Sequence, residues 1–326
     1  MSSISPTAKS EPSSSQTAIS HEQIQAAART IAPYVRRTPV ITLEDRAFGI
    51  DAQIFLKLES LQHAGSFKPR GAFNCILSSK VPEAGVIAAS GGNHGAAVAF
   101  AAQQLGHKAE IFVPTISSPN KINRLRQYGA IANIVGRDYF EALAASRERA
   151  AITSALAVHA YDDPYVLAGQ GTLGMEFDQQ VPELDSVLIA VGGGGLIGGV
   201  ASWFRDRVRV IGVEPERAPS LRKSLDAHHV IEVETSGVAA DSLGARRVGH
   251  LMFPIAQQFV PDVVLVTDEQ IIEAQRTLWQ KLRVIAEPGG ATALAALLSG
   301  VYPVKAGERV GVVICGGNAE LGSFPV

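Results

Sequence analysis

Cysteine is scarce. Cys75 and Cys315 stand far apart in the 326 residues, and neither has partners at zinc-site spacing. A disulfide framework and a structural zinc site are therefore excluded, and a reducing cytoplasm is the expected setting. Charge is scarce as well. The net charge is −2, only 18% of residues are charged and no basic cluster occurs, which leaves no electrostatic footprint for nucleic acid or an anionic membrane. Every apolar run is broken by glycine, proline or a charge before it reaches membrane-spanning length. No internal repeat is present. Residues 1–20, MSSISPTAKSEPSSSQTAIS, lack the apolar stretch of a signal peptide and read as a disordered tail. What remains is a chain of 46% hydrophobic content, long enough for two lobes or one large α/β domain.

Short apolar strands alternate with helices. Strands are expected over 38–43, 53–58, 85–89, 109–113, 130–135, 157–160, 186–191, 208–213, 262–266 and 309–314. Helices are expected over 21–34, 71–77, 96–105, 119–128, 139–155, 165–179, 196–204, 268–282 and 288–298. Residues 215–249 show no clear period. Such alternation implies α/β architecture: parallel sheets covered on both faces, with ligands at the carboxyl ends of strands. Two lobes with a cleft between them suit this length.

Four segments carry chemistry. Ser66-Phe67-Lys68-Pro69-Arg70-Gly71 sets one lysine between an aromatic ring and a proline. An amine that loses hydration there falls in pKa and becomes a Schiff-base nucleophile; the plainer reading is a solvated lysine at a helix start. Gly192-Gly193-Gly194-Gly195 lies between a strand and a helix, where inward N–H groups and the helix N-terminus hold an anion such as phosphate. A tight turn needs fewer glycines. Ser90-Gly91-Gly92-Asn93-His94-Gly95 is a second strand-to-helix loop whose donors suit a carboxylate, although His94 also reads as a structural histidine. Cys315, before Gly316-Gly317-Asn318, places a neutral thiol at a strand end.

Gly193, Gly195 and Gly198 also satisfy G-x-G-x-x-G, and Glu214 ends the next strand near the spacing that grips a dinucleotide ribose. An NAD-dependent oxidoreductase is thus a rival on that segment, though it leaves the other three unexplained. A non-catalytic binder of a phosphorylated ligand is a third possibility.

Taken together and in this order, the four segments resemble the fold-type II pyridoxal phosphate enzymes, and within them the serine/threonine dehydratases and serine racemases. The similarity runs from about residue 20 to the C-terminus. It implies a two-lobed, tryptophan synthase β-like fold, with a large domain of residues 21–80 and 160–326 and a small domain of residues 81–159. It implies that Lys68 carries pyridoxal 5′-phosphate as a Schiff base and serves as the base, and that Phe67 packs on the pyridine ring. Ser90, Gly91, Gly92, Asn93 and His94 would bind the substrate carboxylate, Ser90 with a catalytic part and Asn93 touching the cofactor 3′-hydroxyl. Gly192, Gly193, Gly194, Gly195 and Leu196 would bind the cofactor phosphate. Cys315 would face the pyridine nitrogen, where a neutral partner limits ring protonation and suits β-elimination over transamination. The implied reaction removes the α-proton and the β-hydroxyl of a β-hydroxy L-amino acid, L-threonine or L-serine, and ends in a 2-oxo acid and ammonia.

Two positions refine the resemblance. Racemases of this kind carry a second serine where Gly91 stands, so the acid/base on the opposite face is missing and dehydration is expected over racemisation. The space left by Gly91 also keeps L-phenylserine open as a substrate. Glu214, Ala218 and Ser220 follow the E-x-x-x-A-x-S spacing of a potassium site, with carbonyls expected from Leu243 and Ala245. One carboxylate among neutral oxygens suits a monovalent cation better than magnesium, and the plain alternative is a capped turn. A homodimer is a further expectation from the family. The chain ends eight residues after Asn318, so no C-terminal regulatory domain and no end-product feedback are expected.

Overall fold

The structure, a computed structural model, describes residues 19–320 together with Gly322, Phe324 and Pro325. The tail expected at residues 1–20 falls mostly outside these. Its last two residues do not belong to it: Ile19 is buried, and Ser20 caps the first helix.

That helix, α1 (His21–Ile31), opens with a capping box in which Ser20 and Gln23 each bond the other's backbone N–H. It stops short of Tyr34 because Pro33 has no N–H and its ring would meet a carbonyl one turn back. There follow β1 (Val40–Thr42), β2 (Ala52–Leu58), α2 (Lys68–Leu77), β3 (Val86–Ala89), α3 (Asn93–Gln104), β4 (Ala109–Val113), α4 (Pro119–Gln127), β5 (Ile131–Ile134), α5 (Tyr139–Thr153) and β6 (Leu156–Ala157). The second half runs α6 (Pro164–Gln180), β7 (Ser186–Ala190), α7 (Gly195–Phe204), β8 (Arg209–Pro215), α8 (Ser220–Ala227), α9 (Ala240–Leu243), α10 (Met252–Phe259), β9 (Asp262–Val266), α11 (Asp268–Leu282), α12 (Pro288–Leu298) and β10 (Glu308–Ile314).

The strands form two sheets. One has the order β1-β2-β10-β7-β8-β9, parallel except for β1; the other has the order β5-β4-β3-β6, all parallel. In the first, strand order reverses between β7 and β10, and in the second between β3 and β6. A crevice opens at the carboxyl ends of strands at each reversal. The tetraglycine turn follows β7, Cys315 follows β10 and Ser90–Gly95 follows β3, so three of the four chemical segments lie at such ends. The chain between β2 and α2 brings in the fourth.

Three departures from the sequence reading have local causes. The strand expected at 157–160 is only Leu156–Ala157, because His159 Nδ1 accepts the N–H groups of Tyr161 and Asp162 and turns the chain. Residues 215–249, expected to be irregular, contain α8 and α9, and α10 follows them; all three are helices of eight residues or fewer. The helix read as starting at Gly71 opens at Lys68, with Pro69 in its first turn, where a missing N–H costs nothing.

Helices α2, α6 and α7 meet at glycines. A Cβ on Gly199 would stand 2.4 Å from the Leu167 carbonyl, and one on Gly169 would stand 2.5 Å from the Arg70 carbonyl. This close approach encloses a charge network. Arg70 donates from Nε and Nη2 to the two Glu59 oxygens at 2.8 and 2.7 Å, and from Nη1 and Nη2 to Glu176 at 3.1 Å. Lys57 donates to Glu176, to the Thr38 carbonyl and to Gln180. Two cations and two carboxylates, satisfied by hydrogen bonds, fix the start of α2 two residues beyond Lys68. Arg70→Leu would leave Glu59 buried without a cation and Glu176 with Lys57 alone, and should cost about 3–5 kcal/mol in urea denaturation. A loss below about 1 kcal/mol would show that the network does not hold this helix.

Candidate active site

Lys68 is the centre of the site. Its Nζ donates to the Ala160 carbonyl at 2.8 Å and lies 5.2 Å from the centroid of the Phe67 ring. Desolvation without a carboxylate in hydrogen-bond contact lowers its amine to about 8. The segment is tied to the end of β10: Phe67 N–H donates to the Cys315 carbonyl at 3.1 Å, and Ser66 bridges Gly316. Cys315 is buried, its Sγ donates to the Gly289 carbonyl at 3.4 Å, and burial pushes its thiol far above the usual range. It is a neutral group at neutral pH.

The tetraglycine turn closes β7 and opens α7. Gly194 has φ +86°, and no side chain caps the helix, so the first-turn N–H groups have no acceptor within the helix. A Cβ on Gly193 would lie 2.3 Å from the Tyr161 ring, and one on Gly194 would lie 2.5 Å from Met252. The turn therefore tolerates no side chain, and its backbone is left to face a ligand. Ser90 accepts the Gly92 N–H, and a Cβ on Gly95 would fall 1.9 Å from the Ser90 carbonyl, which makes this loop equally tight. His94 is buried, its Nε2 pairs with the Val158 carbonyl at 2.9 Å, and burial lowers it to about 3. The ring is neutral and committed to the protein, so the loop has the backbone rather than the imidazole of His94 to offer a ligand.

Residues that the sequence reading passed over join this set. Ala160 supplies the acceptor for Lys68, and Tyr161 lies against the tetraglycine turn. Glu287, buried and raised to about 7 by that burial, accepts from Asn93 Nδ2. Asn318 donates to Asn93 Oδ1 at 2.7 Å and to the Ala64 carbonyl at 2.8 Å. Asn93, Glu287 and Asn318 help line a cavity of about 1080 Å³, together with Lys121, Arg124 and Arg283. An acid immediately before Pro288-Gly289-Gly290 was the available signal for Glu287.

Of the residues expected with Glu214, Ser220 and Leu243 stand with it behind the tetraglycine turn. Ser220 Oγ lies 3.3 Å from Glu214 Oε1 and 3.4 Å from the Gly192 carbonyl, and Gly192 packs on Leu243. Ala218 is buried, and Ala245 N–H donates to the Leu243 carbonyl. The Glu214 carboxylate also accepts the N–H groups of Leu221 and Arg222, both at 2.8 Å, at the start of α8. It is buried and raised to about 7. Among the described residues no three His, Cys, Asp or Glu side chains cluster as metal ligands.

Residues 31–316 match the family of pyridoxal-phosphate dependent enzymes. The chain belongs to that family. It is 39% identical over 309 residues to an L-threonine ammonia-lyase of Geobacter sulfurreducens, covering 93% of this chain and 76% of the relative. It is 36% identical over 315 residues to a serine racemase of Arabidopsis thaliana, covering 92% and 93%. Among solved structures, maize serine racemase superposes with a TM-score of 0.88 at 33% identity over 94% of this chain and 95% of its own. The processed form of threonine deaminase isoform 2 from Solanum lycopersicum gives 0.86 at 30% identity over 94% and 87%.

The dinucleotide reading is thereby overturned, and the structure supplies the reason. Glu214, which would have gripped a ribose, is buried and spends its oxygens on α8. Pyridoxal phosphate fits the residues present: a desolvated lysine of lowered pKa, a side-chain-free anion turn and a neutral thiol. No described helix is long and apolar enough to cross a membrane.

An amine near 8 is mostly protonated at pH 6 and mostly free at pH 9. Capture of pyridoxal phosphate by the apoenzyme, followed by visible absorbance in a stopped flow, should accelerate about tenfold per pH unit up to pH 8 and level off above. An unaltered lysine would keep accelerating to beyond pH 10.

Proposed function

We propose that this chain is a pyridoxal phosphate-dependent dehydratase (ammonia-lyase) acting on L-threonine and L-serine. Lys68 would hold the cofactor, Gly192–Gly195 and Leu196 its phosphate, and Phe67, Asn93 and Cys315 its ring. Bound there, pyridoxal phosphate supplies an electron sink that acidifies the substrate α-carbon. The protein's own groups do the rest. Ser90, Gly91 and Gly92, with the backbone at His94, present donors at the start of α3 to the substrate carboxylate. The Lys68 amine, its pKa lowered by desolvation, takes the α-proton. The β-hydroxyl leaves as water, and hydrolysis of the resulting imine returns a water and gives the 2-oxo acid and ammonia. The two sheets support the proposed division into a large domain (21–80 and 160–326) and a small one (81–159).

The observation that carries elimination over racemisation is Gly91. It offers no acid or base, and a Cβ built on it would stand 3.0 Å from Ser117 Oγ and 3.6 Å from Val113, so Ser117 would have to give way to a side chain there. Release of 2-oxo acid from L-threonine, L-serine, D-serine and L-phenylserine tests the reading beside a Lys68→Ala control. L-Threonine and L-serine should turn over, and Lys68→Ala should lose at least about a thousandfold. Gly91→Ser combined with Ser117→Ala should raise serine racemisation relative to elimination. Gly91→Ser alone, held against Ser117, should cost activity without that gain. If wild type racemises faster than it eliminates, the dehydratase assignment fails.

The contacts of Ser220 with Glu214 and with the Gly192 carbonyl, beside Leu243, support a monovalent cation, potassium, behind the phosphate turn, with Ala218 and Ala245 as further proposed ligands. Since the carboxyl is raised to about 7, its negative charge is present above that pH and lost below it. Potassium should therefore raise the melting temperature more at pH 8 than at pH 6. Equal shifts at both pH values, or an undiminished shift in Glu214→Gln, would refute the assignment.

A further inference from the structure

The Asn93 amide is held in one orientation by two groups from the other side of the cleft. Asn93 opens α3, just after β3 of the four-stranded sheet, whereas Glu287 precedes α12 and Asn318 follows β10 of the six-stranded one. Its Nδ2 donates to Glu287 Oε1, and its Oδ1 accepts from Asn318 Nδ2 at 2.7 Å. Asn318 cannot reverse its own amide without losing the 2.8 Å bond to the Ala64 carbonyl. A flipped Asn93 would set oxygen against the Glu287 carboxyl and nitrogen against the Asn318 donor, losing both bonds. Glu287 is fixed in turn. Its N–H donates to the Gly316 carbonyl at 3.2 Å, and Gly316 has no Cβ, which would otherwise fall 2.0 Å from Oε1.

An amide nitrogen carries two hydrogens, and Glu287 takes one. We propose that Glu287 is a positioning residue: with Asn318 it orients the Asn93 amide so that the remaining N–H is presented to the ring oxygen of the cofactor. This rests on the reading that Asn93 touches the cofactor ring. Glu287 touches no reacting atom in this role; it acts through Asn93. Its charge also reaches Lys68 and Cys315, so acceptor geometry and charge must be separated. Glu287→Gln does so, because it keeps an acceptor oxygen for Asn93 and removes the charge.

The test uses purified holoenzyme of wild type, Glu287→Gln, Glu287→Ala, Asn93→Ala and the Glu287→Ala/Asn93→Ala double variant. The readouts are melting temperature, the absorbance bands of bound pyridoxal phosphate, its dissociation constant, and kcat and KM for L-threonine. Glu287→Ala should shift the bands in the same direction as Asn93→Ala and weaken cofactor binding about tenfold. Glu287→Gln should stay within about threefold of wild type in both. The double variant should be no worse than Asn93→Ala alone, as coupled residues require. Additive losses, or a Glu287→Gln as impaired as Glu287→Ala, would overturn the proposal. If Asn93→Ala leaves spectrum and affinity unchanged, the assignment of Asn93 to the ring fails, and this inference falls with it.

Discussion

Among the described residues Lys57 is buried and Lys68 is partly buried and desolvated, and the contrast between them organises the site. Lys57 donates to a carboxylate, a carbonyl and a side-chain amide, and the carboxylate it reaches is shared with Arg70. Lys68 has one protein acceptor, the neutral Ala160 carbonyl. Desolvation lowers both amines, but only in Lys68 is no carboxylate in direct contact to bind the proton and occupy the nitrogen. Lys57 is therefore a structural cation, and Lys68 keeps an amine free of any carboxylate, as its proposed Schiff-base role requires. The network around Arg70 supports this difference by fixing the helix start on which Lys68 stands.

The remaining parts of the site follow from where strand order reverses. Two sheets, each with a reversal, deliver their loops to one cleft, and the groups they deliver are nearly all neutral. The tetraglycine turn offers backbone N–H groups, Cys315 keeps its proton, and burial holds the His94 ring uncharged. In such surroundings the proposed cofactor phosphate and a developing charge on the substrate would be stabilised by fixed dipoles rather than by mobile ions. The few acids present sit behind this layer. Glu214 lies under the phosphate turn and Glu287 beside Asn93, each near neutrality in pKa because burial raises it.

What the amino-acid sequence determined by itself is the set of local signals. Glycine runs before helices, one lysine between phenylalanine and proline, and period-two apolar strands each have a short-range physical cause, and they were sufficient for the α/β class and the four chemical segments. The sequence also showed the missing side chain at Gly91. It did not show α8, α9 and α10, helices too short to print a clear period, nor the early end of β6, which depends on a histidine turning the chain. Only the tertiary structure decided that Ala160 and Tyr161 enter the site and that Ser117 stands behind Gly91. It alone decided that Glu287 and Asn318 reach Asn93, 194 and 225 residues away in sequence. Such contacts leave no local pattern, because they are made by strand ends that neighbour one another only after both sheets have formed.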